Sequence, residues 1–122
     1  MNKLKIMFYL IVAAFALTAA PFTFAQDPID VAPEHYKVLF ENERVRVLET
    51  RYGPGESSDF HNHPDNLVIA LSDGEAIPVN SDGSTTEYLF KFGDVIWREA
   101  VQHTGVNSSN EDMYLITIEF KD

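Results

Sequence analysis

The stretch Gly53-Pro54-Gly55-Glu56-Ser57-Ser58-Asp59-Phe60-His61-Asn62-His63-Pro64-Asp65 puts a turn-forming segment directly before two histidines spaced by two. Side chains of an extended chain alternate between its faces, so His61 and His63 project from one side and their imidazoles can hold a single ion. Spacing alone does not distinguish such a pair from exposed or hydrogen-bonded histidines.

Outward from this stretch the chain repeats one pattern. Short runs rich in valine, isoleucine, leucine and aromatic residues end at glycine, asparagine or aspartate, which predicts strands over 36–40, 45–52, 60–63, 67–71, 75–79, 85–90, 95–97 and 114–120. Turns containing Gly53, Gly55, Gly74, Gly83 and Gly93 separate them. Beyond residue 25 no stretch of ten or more residues has helical periodicity. In 45–52, Arg46, Glu49 and Arg51 punctuate apolar residues, as expected of a strand with one buried and one wet face, and the last run behaves similarly until Glu119. The expectation is an all-β sandwich or barrel.

A second segment, Phe92-Gly93-Asp94-Val95-Ile96-Trp97-Arg98-Glu99-Ala100-Val101-Gln102-His103-Thr104-Gly105-Val106-Asn107, brings in a third histidine. Together the two segments resemble the paired motifs of the cupin superfamily. Gly55, His61, His63 and Gly74 fall at the intervals of the first motif, and Gly93, Asp94, His103 and Asn107 reproduce the ends of the second. The resemblance covers roughly residues 36–120. It implies a cupin-type double-stranded β-helix, a jelly-roll barrel in which His61, His63 and His103 converge on one divalent metal ion. The identity of that ion stays open among zinc, iron, manganese, nickel and copper.

The chain departs from the family pattern at two places. The motif's glutamate falls at Leu67, or at Val68 with one more spacer, so the usual fourth ligand is replaced by an apolar residue. Glu99 and Val101 stand where the family has proline and glycine before the last histidine. Asp59 and Asp65 share the parity of the histidine pair and are candidate replacement acids, against their ordinary roles at a strand end and in a turn. Glu99 has the same two readings, a further candidate acid or a surface ion pair with the adjacent Arg98. His35 reads as an ordinary exposed histidine, Asn107 as a loop-fixing residue, and Phe60, Tyr88, Phe90, Phe92 and Trp97 chiefly as core.

The chain opens with Lys3 and Lys5 and then runs apolar from Ile6 to Ala20, with Thr23-Phe24-Ala25 ahead of Gln26. That layout predicts a signal peptide over 1–25, followed by an extended arm over 26–34, which holds Pro28 and Pro33, and the cupin domain over 35–122. The protein is expected in the periplasm or outside the cell, with no membrane segment after cleavage. There is no cysteine, so export brings no disulfide framework.

Loss of Lys3 and Lys5, with no acid, moves the net charge from −10 to −12. So acidic a surface repels phosphate backbones and anionic lipid heads, which argues against nucleic-acid or membrane-surface partners. The functions left are a metal-dependent enzyme on a small molecule, a small-ligand or metal-binding barrel without turnover, and a homodimer formed by strand pairing with a vestigial metal site. The reaction is unassigned.

Overall fold

Among the described residues, nine strands and one short helix form where apolar runs alternate with turn residues. The computed structural model describes residues 26–122, and the expected signal peptide over 1–25 lies outside the described residues. In chain order the elements are α1 (Pro28–Val31), β1 (Tyr36–Glu41), β2 (Val45–Tyr52), β3 (His61–His63), β4 (Asn66–Ala70), β5 (Gly74–Ala76), β6 (Tyr88–Phe90), β7 (Val95–Arg98), β8 (Val101–His103) and β9 (Met113–Phe120). Among the described residues no helix is long and apolar enough to cross a membrane.

Five strands make one antiparallel sheet in the order β1-β2-β9-β4-β7, while β3 pairs with β8 and β5 with β6. Along β9 exposure alternates strictly, with Met113, Leu115, Thr117 and Glu119 facing inward. Leu48, Tyr52, Val68, Ala70, Phe90, Met113 and Leu115 form the apolar core. The expected jelly-roll barrel is therefore the fold observed.

Several expectations need correction. Residues 28–31 of the expected arm form a helical turn, because the Asp27 side chain accepts from the Ile29 N–H and Pro28 presets the first helical φ. A ninth strand, β8, was not anticipated. Its three residues are too few to show a period, and the β3 ladder holds it, pairing His61 with His103 and His63 with Val101. The runs 75–79 and 85–90 shrink to three-residue strands, since Pro78 lacks the N–H a ladder needs, and only an isolated bridge joins Val79 to Thr85.

His35 is not exposed. It is buried and stacked on Tyr52 with ring centroids 3.9 Å apart, and its Nδ1 lies 2.8 Å from the Arg51 carbonyl. Of the five aromatics expected in the core, Phe90 is buried, whereas Phe60, Phe92 and Trp97 are exposed at 38%, 72% and 53%. Trp97 lies on the outer face of edge strand β7, where no described element covers it.

Candidate metal centre

The β3–β8 ladder sets His61 directly across from His103, with His63 two residues along on the same face. All three imidazoles are buried, and one ring nitrogen from each lies within 4.8 Å of the others. Ring centroids are 4.9 Å apart for His61 and His63, 5.1 Å for His61 and His103, and 5.3 Å for His63 and His103. The three expected ligands thus meet inside the barrel, close enough to share one ion.

Hydrogen bonds on the far side of two rings decide which nitrogen is free. His61 Nδ1 sits 2.9 Å from the Asp59 carbonyl oxygen, and His63 Nδ1 sits 2.7 Å from Glu119 Oε2. A carbonyl or carboxylate only accepts, so each Nδ1 carries the proton and leaves the Nε2 lone pair for a metal. The protein's own groups thus fit a divalent ion: three neutral nitrogens, two of them with a fixed tautomer.

Burial also holds the imidazoles in the form a metal requires. It pushes the pKa of His103 down to about 2, with the Arg98 charge adding to the effect. His63 is held well below its ordinary value by burial and then by the charges of Arg98, His61 and Arg46. The Glu119 carboxylate does not reverse this, because Arg46 already serves as its counter-charge, with Nη2 2.8 Å from Oε1. His61 is lowered as well, chiefly by burial. All three are therefore neutral near pH 7.

Behind the histidines lies a buried polar network. Arg46 bridges Glu119 and Asp27, with Nη1 2.9 Å from Asp27 Oδ2. Burial raises the pKa of Glu119, and Arg46 opposes that rise. On the ligand side, the Tyr52 hydroxyl donates to the Tyr36 hydroxyl at 3.1 Å, and Tyr36 in turn lies 3.1 Å from His61 Nε2. With His61 Nε2 engaged by a metal, the Tyr36 hydroxyl would be free to donate to a bound ligand instead.

Neither Asp59 nor Asp65 brings its carboxylate to the histidines. Asp59 is exposed and contributes its backbone carbonyl, and Asp65 is exposed with its carboxylate on the Ala100 N–H at 2.8 Å, a turn role. Of the two positions at which the motif's glutamate falls, Leu67 stands on the outer face in register with Trp97 and Val68 is buried in the apolar core, so neither offers the histidines a carboxylate. The expected Arg98–Glu99 pair does not form. Arg98, the last residue of β7, turns inward to donate from Nε to Asn66 Oδ1 at 3.0 Å, while Glu99, one residue beyond the strand, is exposed. Asn107 keeps its loop role, donating to the carbonyls of Tyr52, Gly53 and Glu111.

Glu119, Arg98 and Tyr36 were not anticipated as neighbours of the histidines. One signal for Glu119 was present: it shares parity with Met113, Leu115 and Thr117, the inward residues of β9.

No family model matches the chain. Among characterised proteins, it is 30% identical over 86 residues to the Beta-alanine degradation protein BauB of Pseudomonas aeruginosa, covering 69% of this chain and 90% of that protein. Among solved structures, a cupin domain from Bordetella pertussis superposes with a TM-score of 0.65 at 25% identity, covering 82% of this chain and all of that one. A double-stranded β-helix protein from Klebsiella pneumoniae superposes with a TM-score of 0.57 at 23% identity, covering 82% and 90% respectively. These structures share the cupin fold.

Proposed function

The chain belongs to the family of the Beta-alanine degradation protein BauB, and on that premise we propose that it is an exported cupin that holds one divalent ion on His61, His63 and His103 and presents it to a small molecule inside the barrel. The observation that carries this reading is the convergence of three buried, neutral imidazoles with donor nitrogens within 4.8 Å. A bound ion supplies Lewis acidity, polarising a ligand oxygen or lowering the pKa of a water. The protein's residues supply the rest: Glu119 orients His63, the Asp59 carbonyl orients His61, and the core excludes bulk water. β-Alanine, in the relative's name, is a small polar molecule, and that size class is carried over as part of this proposal. Export rests on the cationic, apolar and small-residue pattern of residues 1–25.

Elemental analysis of the protein recovered from its natural compartment tests the reading. About one equivalent of a divalent metal is expected, falling to near zero in the His61→Ala, His63→Ala double variant. A wild type that stays metal-free after exposure to zinc, iron, manganese, nickel and copper leaves only a barrel with a vestigial site. A substrate screen on the metal-loaded protein then separates an enzyme from a binder.

We also propose a homodimer, through the outer face of the large sheet rather than by strand pairing. Phe40, Val47, Ile118, Leu67 and Trp97 stand in register across β1, β2, β9, β4 and β7, with Ile116, Ile69 and Val95 in the next row. Phe40, Val95 and Trp97 are exposed and Val47, Ile118, Leu67, Ile116 and Ile69 are half-buried between them, so an apolar strip crosses all five strands. The flanking charges Glu49 and Arg51 pair with each other at 2.7 Å and Lys37 stands in register with Glu49, so this face carries none of the chain's excess negative charge. A second copy can therefore approach there without the repulsion it meets elsewhere. Light scattering is expected to give twice the chain mass for the wild type and a monomer for a Leu67→Glu, Trp97→Glu variant. A wild type that is monomeric at every concentration overturns the dimer.

A further inference from the structure

Arg98 faces the barrel interior with no carboxylate in direct contact; Glu119, whose charge acts on it, gives its oxygens to Arg46 and His63. It pairs in register with Asn66, which is fully buried, and their side chains meet through Nε and Oδ1. Asn66 is itself pinned by donating to the Pro64 carbonyl at 2.7 Å, which aims its oxygen at the guanidinium. Among the described residues Arg98 makes no ion pair, although Arg46, also facing inward, makes two.

The guanidinium lines a cavity of about 40 Å³ together with His103, Tyr36, Thr50, Tyr88 and Thr117, and no acidic residue lines it. At 10–15 Å³ per water, that space holds about three waters, the size of a carboxylate group with one or two further heavy atoms. Arg98 is the one charged residue lining this cavity, and the acid nearest the histidines, Glu119, lies behind His63 and outside that lining. The glutamate that a cupin motif brings to its metal falls at Leu67 or Val68 here, both apolar, so an ion on three neutral imidazoles would keep its full double charge, with Arg98 lining the same cavity as His103. Buried positive charge of this kind is compensated by an anion, and a planar guanidinium fork matches a carboxylate.

We infer that the ligand of this site is a small carboxylate, with Arg98 as its anchor and its negative charge standing where the protein's own glutamate is absent. The inference rests on the three-histidine metal reading and adds the chemical class of the ligand. Nε remains committed to Asn66, and the two terminal nitrogens are the donors offered to the carboxylate. The Tyr36 hydroxyl, on the same cavity wall, is a second donor.

The test loads the full protein with Co(II) and follows its visible absorption during titration with acetate, neutral acetamide and inorganic phosphate. Acetate is expected to change the spectrum saturably, with acetamide and phosphate at least tenfold weaker. Arg98→Met is expected to weaken acetate at least tenfold while still taking up one cobalt, and Arg98→Lys to recover part of the loss. Equal binding of acetate and acetamide, tighter binding of phosphate, or an Arg98→Met protein that holds cobalt and binds acetate like the wild type each overturns the assignment. If the wild type takes up no cobalt, the metal reading fails by itself. The anchor is then judged by whether acetate raises the melting temperature of the wild type and not of Arg98→Met; equal shifts overturn it.

Discussion

Glu119→Leu is expected to lower folding stability by about 3 kcal/mol, the lower end of the cost of breaking a buried ion pair, and to weaken metal binding by about 10- to 100-fold. The carboxylate is 2% exposed and divides its oxygens between two partners, Oε1 on Arg46 and Oε2 on His63 Nδ1. Leucine leaves the Arg46 guanidinium with Asp27 alone, and that remaining contact keeps the stability loss at the low end. It also leaves His63 Nδ1 without an acceptor, so the ring is free to turn or to exchange tautomers and its Nε2 is no longer aimed at the other two ligands. Glu119→Gln keeps an oxygen for His63 and loses the charge for Arg46, so its metal affinity is expected to fall between wild type and Glu119→Leu. Urea unfolding and competitive metal titration with a chelator measure the two effects. A Glu119→Leu protein that binds metal as tightly as wild type would show that this carboxylate does not orient the ligand.

Acidification is expected to destabilise the metal-free protein steeply below pH 6.5. Burial depresses the folded-state pKa of His63 and His103, the latter to about 2, while both return to ordinary values on unfolding. As pH falls through 6.5 the unfolded chain takes up protons that the folded chain refuses, so stability present above 6.5 is lost on the way down. Each such histidine contributes about 1.4 kcal/mol per pH unit, which gives about 3 kcal/mol per unit for the two. Glu119 acts in the opposite sense at lower pH. Its folded pKa is raised by burial, so between that raised value and the ordinary carboxyl value the folded state binds the extra proton and the slope shrinks. Urea midpoints at pH 7, 6 and 5 should fall progressively in the wild type and much less in a His63→Gln, His103→Gln variant. Equal midpoints at pH 7 and 5 in the wild type would mean that these imidazoles protonate freely in the folded protein.

Reading residues in order was enough for the strands that follow a clean period of two. The run 45–52 is β2 residue for residue, and the long terminal strand begins one residue earlier than expected. It was not enough where a strand exists only through its partner. Strand β8 has three residues, and its register against β3 carries His103 to the other histidines. The same limit explains His35 and Trp97. His35 is buried because the ring of Tyr52 folds over it, and Trp97 is exposed because its strand lies at the edge of the sheet with no described element covering its outer face.

By itself the sequence determined an all-β chain, the common face of His61 and His63, and a third histidine at the matching interval of a second motif. Tertiary structure alone decided what surrounds those rings. Glu119 meets His63 across 56 residues of chain, Arg98 turns toward Asn66 instead of Glu99, and Tyr36 reaches His61 from the first strand. Alternation along a strand tells which side a residue takes, but not what it will face there. That depends on register between strands distant in sequence, which is set only when the whole barrel closes and every inward polar group must find a partner.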